Sequence, residues 1–176
     1  MSSGNNITWA GTFTPSTNTE DASNALSLAT SYTDLAGNPG PAETTSNYAV
    51  ETRAPTVSSF TLSDSALKIG DNATVTLVFS EEVILFNSDS DITQPNGELS
   101  TMTTNANETW IGYFTPNLGI EDDTNTLSLA NNSYTDLAGN NGPDNQTANY
   151  QVDTRAPSAN SFTTVSYTHL PLPTKA

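Results

Sequence analysis

The stretch SYTDLAGN stands at residues 31–38 and again, letter for letter, at residues 133–140, 102 positions further on (133 − 31). A spacing near 100 residues is too long for a solenoid unit and suits a small β-sandwich domain. Read locally, the eight residues describe a strand end, a tyrosine and a tight turn. Tyr134 is expected to bury its ring and to bond its hydroxyl to backbone, and Gly139 to supply a positive φ. A binding loop is the alternative reading of the same letters.

The match continues outward from the octet. Residues 9–29 (WAGTFTPSTNTEDASNALSLA) and 110–130 (WIGYFTPNLGIEDDTNTLSLA) share 12 of 21 positions, and residues 31–55 and 133–157 share 18 of 25. Both stretches close on Tyr-x-Val-(Glu/Asp)-Thr-Arg-Ala-Pro. Met1 aligns with Met102, inside a unit. Residues 1–54 therefore read as the second half of a truncated repeat, and residues 55–156 as one complete repeat. Residues 157–163 read as the opening of a third, since Ser161-Phe162-Thr163 matches Ser59-Phe60-Thr61. The match then stops. Residues 164–176 read as a non-native tail, because VSYTHLPLPTKA resembles a translated sequencing adaptor, and the single histidine, His169, goes with it.

Composition narrows the function. Hydrophobic residues make up 34% and aromatics 8% of the chain, low values that the regular apolar alternation offsets as a sign of order. Acidic residues number 19 against 4 basic ones, a net charge of −15, which excludes nucleic acid as a partner because phosphate binding needs Lys and Arg. Such an imbalance repels itself unless cations intervene. With no cysteine there is neither a disulfide nor a thiolate site. No apolar run is long enough to enter a membrane, and the residues after Met1 lack the basic and apolar regions of a signal peptide.

Within 55–156, residues 57–62 read as a first strand and "SDSALKIGDN" as a polar turn region. Residues 73–79 alternate cleanly, with Ala73, Val75, Leu77 and Phe79 on one face. Residues 83–86 are either a strand or a core plug. Pro95-Asn96-Gly97 marks a reversal, residues 99–104 and 109–115 a hairpin around "NANE", and residues 126–130 and 148–152 complete the set. Some seven short strands with no helical pattern predict an all-β, antiparallel sandwich.

Four motifs carry a resemblance: Phe79-Ser80-Glu81-Glu82-Val83, Phe114-Thr115-Pro116, Tyr134-Thr135-Asp136-Leu137-Ala138-Gly139-Asn140, and Tyr150-Gln151-Val152-Asp153-Thr154-Arg155-Ala156-Pro157. In this order and spacing the chain resembles the bacterial immunoglobulin-like tandem repeats of large secreted adhesins and biofilm-associated proteins. The resemblance implies extracellular, non-catalytic spacer domains in a stalk, often stiffened by calcium, with adjacent repeats as partners. It implies nothing about the surface that the parent protein grips.

Calcium takes six to eight oxygens in irregular geometry, so carboxylates from separate loops can share an ion. The candidate ligands are Glu81 and Glu82 after a strand, Asp136 in the shared turn, Asp153 at the end of the last strand, and Asp122 and Asp123 in the dense Glu121-Asp122-Asp123 cluster. Each alone reads first as a solvated loop charge or an Asx turn, and only jointly as a calcium site. Asp89-x-Asp91 opens like an EF-hand loop but lacks its later glycine and glutamate, and is rejected. Pro55 and Pro157 shorten and stiffen the junctions, and Arg53 and Arg155 are expected to pair with neighbouring carboxylates there. No nucleophile motif is present, so catalysis is not expected. The competing reading is a ligand- or carbohydrate-binding module attached to a secreted enzyme, with Trp9 or Trp110 stacking on sugar beside Tyr113.

Overall fold

A computed structural model of the chain describes residues 2–3 and 7–166. In the amino-terminal stretch the strands are β1 (Ser2–Ser3), β2 (Trp9–Ala10), β3 (Glu20–Asn24), β4 (Ser27–Leu28), β5 (Glu43–Thr44) and β6 (Tyr48–Glu51). The longer stretch holds β7 (Val57–Leu62), β8 (Ala66–Lys68), β9 (Ala73–Phe79), β10 (Ile92–Thr93), β11 (Gly97–Leu99), β12 (Thr103–Thr104), β13 (Thr109–Pro116), β14 (Glu121–Asn125), β15 (Ser128–Leu129), β16 (Asn145–Gln146) and β17 (Tyr150–Asp153). Residues 157–166 form no strand. The tail assigned to a foreign origin lies, from residue 167 on, outside the described residues.

The predicted all-β sandwich is what the chain forms. One sheet has the order β11-β13-β9-β7, with β12 pairing the far end of β13. The opposing layer consists of two three-stranded pieces, β14-β17-β8 and β10-β15-β16. Strand β9 alternates because its residues face core and surface in turn: Ala73, Val75, Leu77 and Phe79 are buried, and Thr74, Thr76 and Val78 less so. Its inward side chains meet Leu67, Phe114, Leu127, Leu129, Tyr150 and Val152 in one apolar cluster. Burial of this kind contributes about 25 cal/mol per Å² of apolar surface removed from water.

Four local expectations change, and the open reading of residues 83–86 is resolved. The pairing is not wholly antiparallel, since β8 runs parallel to β17 with Leu67 opposite Val152. The region read as a polar turn thus contains a strand, signalled only by Leu67, which is 1% exposed. Residues 83–86 act as a plug: Val83 and Phe86 are buried, and the backbone makes a single bridge from Ile84 to Thr135. A short helix, α1 (Ser88–Asp91), occupies the rejected EF-hand stretch, with the Asn87 side chain accepting from the Asp89 amide. Finally, Glu121-Asp122-Asp123 is a strand and not a loop, pairing β17 with Glu121 opposite Asp153.

Candidate functional site: the junction between repeats

The octet folds the same way twice. The Tyr134 hydroxyl donates to the Pro143 carbonyl at 3.1 Å, and the Tyr32 hydroxyl to that of Pro41 at 2.9 Å. A Cβ on Gly142 would collide with the Tyr134 ring, and one on Gly40 with Tyr32, so glycine lets the chain pass beneath each ring. Gly139 and Gly37 sit at φ +90° and +91°, as expected of the turn.

Asp136 closes this turn from inside. Its Oδ1 accepts from the Asn140 amide at 2.8 Å, and its Oδ2 from the Asn140 side chain at 2.7 Å. Burial pushes its carboxyl up, but hydrogen bonds from the Asn140 side chain and from the amides of Asn140, Gly139 and Ala138 outweigh that and hold it below the ordinary range. Asp34 and Asn38 repeat the arrangement.

The turn at 136–140 also faces the preceding repeat. Asn140 Nδ2 donates to the Glu51 carbonyl at 3.4 Å, joining it to the end of β6. Glu81 enters the same corner. Its carboxyl is pushed above the ordinary range by burial and by the charges of Asp136, Glu51 and Glu20, with Arg53 opposing. Arg53 pairs with Glu20, and Arg155 with Glu121 at 3.3 Å, so both arginines take the carboxylate partners expected of them. Pro55 is buried here. Thr52 ties off the strand end, accepting from the Thr19 amide at 2.9 Å and donating to the Ser16 carbonyl at 2.7 Å. Thr154 does the same with Ile120 and Asn117.

The six candidate ligands are thereby divided. Glu81 and Asp136 both lie at the junction, where the Asp136 charge acts on the Glu81 carboxyl. Glu82 accepts from the Asn107 side chain at 3.2 Å. Asp122, Asp123 and Asp153 belong to the β14–β17 edge, where they border a shallow depression with Glu121, Gln151 and Val152. Strand alternation separates the acidic triplet: Glu121 and Asp123 face solvent, while Asp122 turns toward Asn96, which donates to it at 2.8 Å. The Thr124 backbone amide, then the Thr124 and Asn96 side chains, hold the Asp122 carboxyl below its ordinary range despite some desolvation. Asp153 Oδ1 accepts from the Arg155 amide at 3.2 Å. Among the described residues no three acidic or histidine side chains form a group able to hold a metal ion.

Sequence reasoning passed over the asparagines. Asn149 Oδ1 accepts from the Asn125 amide at 2.9 Å, and its Nδ2 donates to the Asp123 carbonyl at 2.9 Å, fixing the irregularity between β14 and β17. Asn47 does the same for Asn24 and Ala22. Their recurrence at equivalent places in both repeats was the available signal.

The two tryptophans separate. Trp110 packs in a T-shape with Phe86, with centroids 4.9 Å apart, and lies on the inward side of β13 with Phe114. Tyr113 projects from the opposite face and is 54% exposed. Trp9 is 57% exposed.

Fold and junction together define tandem immunoglobulin-like sandwich repeats. The family model for the bacterial Ig-like domain matches residues 1–50 and 51–152, and the chain belongs to that family. No curated protein and no solved structure matches it. Domains of this family are typically extracellular or on the cell surface, and generally non-catalytic. Among the described residues no helix is long and apolar enough to cross a membrane.

Proposed function

We propose that the chain is a non-catalytic spacer from the extracellular stalk of a bacterial adhesin or biofilm-associated protein, its units held end to end. The observation that carries this reading is the junction. Five residues, 52–56, connect β6 to β7, and around them Pro55 is buried, Thr52 and Arg53 are tied back, and Asn140 reaches across to Glu51. A connector so short and so bonded limits bending between units, as a stalk requires. Antibodies against the chain are expected to label intact cells of the producing bacterium, and surface proteolysis to remove the label. Labelling only after permeabilisation would overturn the reading.

Calcium is the second component. At the junction the charges of Asp136, Glu51 and Glu20 act on Glu81, and Arg53 opposes them. These carboxylates supply charge but no closed cage, so an ion there would also need carbonyl or water oxygens. Calcium is expected to raise the thermal unfolding midpoint more than magnesium does. An unchanged midpoint removes calcium and leaves the spacer reading on its own support. Against the sugar-binding alternative, Trp110 and Tyr113 lie on opposite faces of β13, and the exposed Trp9 has no Tyr113 counterpart beside it, since Thr12 stands there.

A further inference from the structure

The sequence holds Asn-Gly twice, at Asn96-Gly97 and Asn141-Gly142. In this dipeptide an asparagine side chain reacts most readily with its own backbone, because glycine, without a Cβ, leaves the following amide unshielded. The two pairs are restrained in different ways. At Asn141-Gly142 the nucleophile is occupied: the Gly142 amide donates to the Tyr134 carbonyl at 2.9 Å. At Asn96-Gly97 it is not. The Asn117 amide donates to the Asn96 carbonyl and the Ser100 amide to the Tyr113 carbonyl, each at 2.9 Å, so alternate residues from 96 onward bond across to β13. Gly97, opposite Pro116, therefore turns its amide to the outer side of β11, the edge strand of its sheet.

What restrains Asn96 is its own side chain. Nδ2 donates to Asp122 Oδ2 at 2.8 Å and to Asn125 Oδ1 at 2.7 Å, both on β14 in the opposing layer. Tyr150 reinforces the turn, its hydroxyl donating to the Pro95 carbonyl at 2.9 Å. Residues 95–97 thus staple the two layers together along this edge.

Packing keeps both letters in place. Asn96 sits at φ +59°, a conformation that asparagine tolerates better than most side chains. A Cβ on Gly97 would collide with the Phe114 ring and the Thr115 carbonyl oxygen. The fold therefore requires a chemically fragile dipeptide where the layers are joined.

We propose that Asn96-Gly97 is a self-modification site: opening of the 95–97 turn lets the Gly97 amide nitrogen attack Asn96 Cγ, and the product cannot restore the staple. The new bond joins Gly97 N to Asn96 Cγ. The bond from Cγ to Nδ2 breaks, and Nδ2 leaves as ammonia with the proton that Gly97 N gives up. Water then opens the cyclic imide. Attack at Cγ gives aspartate; attack at the former peptide carbonyl gives isoaspartate, with the backbone rerouted through Cβ. Either product replaces the amide donor with a carboxylate where Asp122 Oδ2 and Asn125 Oδ1 both need a donor. Like charge and unmet acceptors then hold the turn open, and the change is irreversible.

The test incubates the folded chain in mildly alkaline buffer and follows both Asn-Gly pairs by peptide mapping with mass spectrometry. Conversion is expected at Asn96. Asp122→Ala, which frees the side chain, is expected to speed it several-fold while Asn141 keeps its rate. Tyr150→Phe, which removes only the bond to Pro95, is expected to speed it less. The converted chain, separated by its added negative charge, is expected to unfold at lower urea than the original. Asn96→Asp is expected to show the same loss, and adding Asp122→Asn, which returns a donor to the pair, to recover part of it. No conversion at Asn96 in either the folded chain or Asp122→Ala overturns the proposal. So does equal acceleration of both pairs, which makes global unfolding the gate, and so does a converted chain as stable as the original.

Discussion

Asp136 is 1% exposed, and both its oxygens are spent on Asn140. Replacing it with alanine is expected to cost about 1–3 kcal/mol, because the partly buried Asn140 amide is left without its acceptor. Urea unfolding at pH 7 measures this. The sign with pH follows from the lowered carboxyl. Its stabilisation is complete above the unfolded value near 3.9 and disappears as pH falls through the folded one, so wild type and Asp136→Ala converge in acid. The phenols act at the other end. Burial first, then the charge of Asp144, pushes Tyr134 up to about 12, and burial, then Asp122, does the same for Tyr150. Their contribution is whole below pH 10 and is lost as pH rises toward 12. Tyr134→Phe and Tyr150→Phe are each expected to flatten that alkaline decline in a pH series of unfolding midpoints.

Strands explain which positions bear packing. In β9, Leu77 is fully buried between its partners Trp110 on β13 and Phe60 on β7. Leu77→Ala is expected to cost about 2–5 kcal/mol by urea unfolding, since a central strand cannot close around the missing methyls. In β14 the same period of two places Asp122 inward and Asp123 outward. Neutralising Asp123 is therefore expected to leave the unfolding midpoint nearly unchanged in denaturant. Asp122→Ala, which strips Asn96 and Thr124 of their acceptor, lowers it. Acidic residues are poor strand formers, and it is pairing with β17 that makes them a strand.

Across the whole chain the two repeats differ in what covers them. Limited proteolysis is expected to cut residues 7–54 first and to spare 55–156, read by mass spectrometry over time. Equal sensitivity would contradict the division at the Ala54-Pro55 junction. That junction also has a pH signature opposite to that of Asp136. A carboxyl raised in the folded state, as Glu81 is by burial and its acidic neighbours, adds stability below its unfolded range and loses it as pH rises through the folded value. Glu81→Gln is thus expected to raise the unfolding midpoint at pH 7 and to leave it unchanged near pH 3.

The amino-acid sequence by itself determined the repeat, its period, the sandwich class, the alternating β9, the tyrosine and glycine of the turn, and the arginine–carboxylate pairs. Each rests on local periodicity or on a side chain whose partner lies at a repeated position. Only the tertiary structure decided that β8 joins β17 in parallel, that Glu121-Asp122-Asp123 is a strand, and that Glu81 feels the charges of Asp136 and Glu51 across the junction while Asp122, Asp123 and Asp153 lie along β14 and β17. Those outcomes depend on which distant segments pair. The Phe, Leu and Tyr of residues 102–156 are core because β9 and its neighbours lie over them, a pairing that their own letters do not encode.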